Sequence, residues 1–102
     1  MKTYEGRREG HTALVTVNGR PLNSRLDLRN HSPTGFEWSY GGSGPAQLAL
    51  AILADHLGED ERALVLYQQF KWCVVASLPE SGWTLMSDDI DKALRGLKEE
   101  AV

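Results

Sequence analysis

Residues 36–56 constrain the fold more tightly than any other stretch of the chain. Phe36, Trp38 and Tyr40 alternate with Glu37 and Ser39, so a strand here carries all three rings on one face. Gly41-Gly42-Ser43-Gly44 follows, and glycine lets a backbone turn sharply because no Cβ obstructs it. Pro45 suits the first turn of a helix, where its missing N–H costs nothing. Beyond it, Leu48, Ile52 and Leu53 recur at helical spacing, Leu50 lies off that stripe, and Ala46, Ala49, Ala51 and Ala54 fill most other positions. A helix apolar nearly all round is a buried one, and its alanines keep it slim enough for close packing. The pattern predicts an aromatic strand, a glycine turn, and a helix from about Gly44 or Pro45 to His56, with Gly58 as its C-cap.

The flanking segments supply a sheet and two more helices. Thr12 to Val17 is rich in β-branched residues and runs into Asn18-Gly19, the pair favoured in type I′ hairpin turns. Pro21 cannot donate to a ladder, so the return arm is an edge or starts at Leu22. Lys2 to Glu9, ending at Gly10, supplies another strand, and Leu22, Leu26 and Leu28 suggest a further short extended piece. Ser32-Pro33-Thr34-Gly35 has turn chemistry. A second helix starts near Asp60, with Glu59, Asp60 and Glu61 set against its positive pole. Ala63, Leu66, Tyr67, Phe70, Val74 and Leu78 share one face, Pro79 stops it, and Val74-Val75 leaves its last turn open between helix and strand. Trp83-Thr84-Leu85 reads as extended, and Ser87 as the N-cap of a third helix with Asp88 and Asp89 in its first turn. Ile90, Ala93, Leu94 and Leu97 form its apolar stripe, with Lys92, Arg95 and Lys98 in later turns.

The chain has 102 residues, of which 41% are apolar and 25% charged, the balance of one folded domain rather than a disordered segment. The expectation is an α+β domain spanning 1–102, a small antiparallel sheet of three to four strands packed against about three helices. A lone Cys73 implies no internal disulfide and reads as a small core or boundary residue. The start shows no signal-peptide pattern. The longest apolar run, Leu48 to Ala54, falls far short of the roughly 20 residues that span a bilayer. A cytoplasmic location without membrane contact is therefore expected.

Net charge is −3, unevenly spread. Residues 1–31 hold six basic side chains (Lys2, Arg7, Arg8, Arg20, Arg25, Arg29) against three acidic ones; residues 32–102 hold five against eleven. Such asymmetry fits a basic face that reads an anion, or two regions that attract each other on folding.

Several constellations bear on chemistry. A glycine turn before a helix exposes N–H groups to an anion, but no Lys follows as in a P-loop and the G-x-G-x-x-G spacing is missing. Gly41-x-Ser43 is reminiscent of a nucleophile elbow, yet Pro45 stands where that motif has Gly, so Ser43 is better read as a helix cap. His11, His31, His56 and Cys73 lack ligand-like spacing, so no metal or cofactor is expected. Arg29, His31, Glu37 and Gln47 are polar residues in the most distinctive segment, where they line a binding site or form a buried network holding the loop. The candidate ligand or partner residues are Arg29, His31, Glu37, Trp38, Tyr40, Gly42, Ser43, Gly44 and Gln47. The exposure of Trp38, Tyr40 and Trp72 is left open.

From His31 to Leu50 the chain resembles a family of small uncharacterised proteins, of unknown function, from bacteria, archaea and mobile elements. The likeness extends over Tyr4 to Arg7, the hairpin, and Leu66 to Trp83. It implies glycine at the position of Ser39, so either positive φ is not required there or Ser39 accepts it. It implies no activity. The absence of a catalytic set, with the charge asymmetry, points to a non-enzymatic binding or interaction module with a protein partner, such as a phage or mobile-element accessory that engages a host protein. The alternatives are a small-anion or nucleotide sensor using the glycine turn, and nucleic-acid binding through the arginine-rich N-terminal third.

Overall fold

The computed structural model describes residues 1–97, so Lys98 lies outside the described residues. The β-branched run and its neighbours form strands β1 (Thr3–Glu9), β2 (Thr12–Val17) and β3 (Arg20–Pro21). Asn18 and Gly19 both take positive φ, 50° and 80°, as a type I′ turn demands. The chain then forms α1 (Ser43–Leu57), α2 (Asp60–Cys73), a 3₁₀ turn (Val75–Ser77), β4 (Gly82–Met86) and α3 (Ser87–Arg95). The four strands make one antiparallel sheet in the order β3-β2-β1-β4, and three helices complete a small α+β domain.

Strand alternation sorts the sheet into two faces. Tyr4, Gly6 and Arg8 lie across from Val17, Val15 and Ala13 on β2, and Tyr4 and Gly6 lie across from Leu85 and Trp83 on β4. Tyr4, Val15 and Trp83 are buried and join the core built around α1 and α2. The opposite face carries mainly Thr, Glu and Arg side chains, with Leu14 and Met86 among them. The Tyr4 hydroxyl donates to the Asp55 carboxylate at the end of α1, and Lys2 Nζ reaches the same oxygen at 3.1 Å. Burial, then that hydrogen bond and the charge of Asp55, push the Tyr4 phenol above its ordinary pKa.

Three expectations are corrected. Residues 36–40 are not a strand: the segment is irregular, and Ser39 takes φ 77°, which breaks the extended run. Trp38 is nonetheless buried while Tyr40 turns outward, because the left-handed residue between them swings the two rings apart. Leu26 and Leu28 lie in a turn closed by the Leu28 N–H on the Arg25 carbonyl; Leu22 is buried in the core, Leu28 packs half-buried against it, and Leu26 is exposed. The second helix ends at Cys73 rather than near Pro79, because Val74 leaves helical geometry (φ −123°, ψ −62°). The Val75 carbonyl then accepts from Ser39 N–H at 3.1 Å.

Smaller differences follow the same logic. Ser87 opens α3 rather than capping it. Its hydroxyl accepts from Lys2 N–H, while the Asp89 carboxylate accepts from Met86 N–H. Cys73 is exposed.

Gly6 is required by a close approach. The Trp83 indole lies across its Cα, and a Cβ there would overlap the ring. Gly6→Ala is expected to cost about 1–3 kcal/mol in urea unfolding, whereas Glu5→Ala on the opposite face stays within about 0.5 kcal/mol.

Candidate functional site

The candidate residues separate into three groups. The first is a clip that fixes the irregular segment onto α1. Gln47 is fully buried in the first turns of that helix. Its Oε1 accepts from the His31 N–H at 2.8 Å and the Ser32 N–H at 3.3 Å, and its Nε2 donates to the Ser24 carbonyl. The His31 ring pairs with the Tyr67 hydroxyl at 2.7 Å, linking the segment to α2. Gln47 and His31 thus fit the network reading. Arg29 is exposed and donates to the Leu28 carbonyl at 2.7 Å.

The second group surrounds Trp38. Its indole N–H donates to the Glu80 carbonyl at 2.9 Å, and its ring meets Trp83 edge to face at a centroid distance of 5.6 Å. Arg8 stacks over the Trp38 ring at 4.4 Å, donates through Nε to the Glu80 carbonyl, and grips Glu37 with two bonds of 2.9 and 3.3 Å. That bidentate pair holds the Arg8 guanidinium above its ordinary pKa. Glu37 in turn covers the first turn of α1: a Cβ on Gly44 would lie 2.7 Å from Glu37 Cβ. Arg8, His11, Glu37, Trp38, Tyr40 and Glu80 line an open cleft of about 480 Å³.

The third group is exposed. Tyr40 lies against Gly42, and Trp72 against Gly41, so the bare glycines form a floor for two outward rings. Tyr40 is 52% exposed and Trp72 61%. Ser43 is also exposed, but it does not cap: Gly42 holds the cap position, and no side chain bonds there. Trp72, whose exposure the sequence left open, is not among the candidate residues, and neither is Val65, 52% exposed two turns earlier on α2. The signal was present in Ala63 to Phe70, eight residues without a charge, of which one face alone is needed for the core.

The arginines do not share a face. Arg7 and Arg8 are neighbours on β1 and point to opposite sides of the sheet. Lys2 pairs with Asp55, Arg8 with Glu37, and Arg25 with both Asp27 and Asp60. Three of these pairs join the basic third of the sequence to the acidic remainder, which is the internal-attraction reading of the charge asymmetry. Among the described residues no helix is long and apolar enough to cross a membrane, and no group of three or more His, Cys, Asp or Glu converges as a metal site.

A family model spans this whole arrangement, from Tyr4 to Gly96. The chain belongs to DUF6166, a family of unknown function. No curated protein and no solved structure matches it. The resemblance read from the central motif therefore holds at the level of membership. In this DUF6166 chain Ser39 does accept positive φ, secured by its N–H on Val75 and its hydroxyl on the Leu78 carbonyl.

Two substitutions test the clip and the left-handed residue. Gln47→Leu strands the half-buried His31 and Ser32 N–H donors and the Ser24 carbonyl, and is expected to cost roughly 1–3 kcal/mol in chemical unfolding. Ser39→Gly exchanges the hydroxyl bond for relief of φ and is expected within about 1 kcal/mol of the parent, whereas Ser39→Val, β-branched at φ 77°, loses clearly more.

Proposed function

We propose that this protein is a non-catalytic interaction module that docks another protein chain on the outward face of α2 together with the Tyr40 ring. One observation carries the reading. Val65, Tyr40 and Trp72 are three of the few large apolar side chains left in solvent, and Trp72 and Tyr40 pack on the adjacent glycines Gly41 and Gly42. Contiguous exposed apolar surface on a soluble domain marks contact with a partner more often than chance. Aromatic residues with few charges between them are the composition of an interface centre.

The alternatives have less support. An anion sensor needs free ground over the first turn of α1, and the Glu37 backbone and Cβ lie against Gly44 there while its carboxylate already takes the nearby Arg8. A nucleic-acid surface needs aligned cations, and Lys2, Arg7, Arg8 and Arg25 are each engaged with an acid. Neither supplies a role for Trp72.

The check is photo-crosslinking in cells. A photoreactive residue at Gln68, between Val65 and Trp72, is expected to give a discrete protein adduct. Tyr40→Ala combined with Trp72→Ala removes it without altering cooperative unfolding. The same residue at Thr84, exposed on the far face of the sheet, gives none. Equal labelling from positions 68 and 84, or adducts indifferent to the loss of both rings, contradicts the reading.

A further inference from the structure

We infer that the chain seated on this face is a second copy of the same protein, paired through α2 in an antiparallel, two-fold arrangement. The inference rests on the docking surface proposed above and names its occupant.

The stripe along α2 is self-complementary. Glu61, Val65, Gln68 and Trp72 follow one another at spacings of four, three and four residues, and all four are exposed. Val65 and Trp72 are one heptad apart, so the midpoint of the pair falls between positions 68 and 69. Each lies about 5 Å along the helix from that midpoint. A two-fold axis there sets each Val65 on the second copy's Trp72 and buries both apolar contacts twice. The uncharged Gln68 then meets its own counterpart beside the axis, where a charged residue would meet its like.

Charge selects the antiparallel sense. Glu61 stands exposed in the first turn of α2 beside Asp60, which Arg25 already holds, and the largely buried Lys71 lies in the last turn with its ammonium 4.4 Å over the Trp72 ring. Antiparallel pairing opposes the two helix dipoles and keeps the exposed Glu61 side chains of the two copies apart. Parallel pairing would set Asp60 and Glu61 against their own copies. Nothing charged lies between Ala63 and Phe70 to oppose closure.

Sedimentation over roughly micromolar to millimolar concentration reads the equilibrium directly, the range in which a pair of this size associates. The expected result is a concentration-dependent monomer–dimer mixture. Val65→Lys and Trp72→Lys each weaken it at least about tenfold, with the thermal unfolding midpoint little changed because both side chains are exposed. Orientation is read by crosslinking in a Cys73→Ser background. Gln68→Cys beside the axis joins to itself through a short bismaleimide, while Glu61→Cys, about 22 Å from its counterpart in the antiparallel pair, does not. A chain that stays monomeric throughout overturns the inference, as does a dimer indifferent to both lysines or one that crosslinks through position 61. A monomer whose position 68 still captures a different protein overturns the second copy alone and leaves the docking face. A monomer with no adduct removes both.

Discussion

The helix α1 is buried on every side from Gly44 to Ala54, and that requirement organises the rest of the molecule. An amphipathic helix needs cover on one flank. This one needs it all round, and a four-stranded sheet with one neighbouring helix does not enclose a cylinder. The sheet offers Tyr4, Val15 and Trp83, α2 offers Ala63, Leu66 and Phe70, and the remaining flank falls to residues 22–42, which form no helix or strand. An irregular segment over a core must find partners for its own N–H and C=O groups. Gln47 meets that need from inside the helix, a buried amide that a wholly apolar α1 would lack.

With the segment fixed at one end by Gln47, its other end is held by Trp38 and Ser39. Trp38 inserts between Arg8 and Trp83, and Ser39 ties its backbone to the turn after α2. The positive φ at Ser39 makes the next ring, Tyr40, face outward rather than follow Trp38 inward. The same glycines that let the chain enter α1 then offer flat ground beneath Tyr40 and Trp72. The exposed pair is thus a consequence of how the cover is fastened. It sits on rigid support, which lowers the entropy lost when a partner orders it.

Much of this was legible in the residues. Asn18-Gly19, the β-branched run before it, the alanine-rich helix and the Gly58 cap each have one local meaning, and the structure carries all of them. The alternation of Phe36, Trp38 and Tyr40 had a local meaning too, but a strand also needs a neighbour, and the edge beside β1 is taken by β4. The early end of α2 depends on a long-range bond from Ser39 to Val75, which no window of sequence contains. The network around His31 and Gln47 was one of two readings the residue types allowed. Trp72 stayed open and Val65 was not found, because α2 carries apolar residues on two faces and only the placement of α1 decides which is inside.

The central claim is that residues 22–42 are a fixed wall of the core although they lack regular structure. Hydrogen exchange at the His31 and Ser32 amides tests it most directly, since both donate to the buried Gln47 side chain. Protection approaching that of the α1 amides, lost only with global unfolding, is the predicted result. Exchange at the rate of an unprotected loop, with α1 still protected, would contradict it.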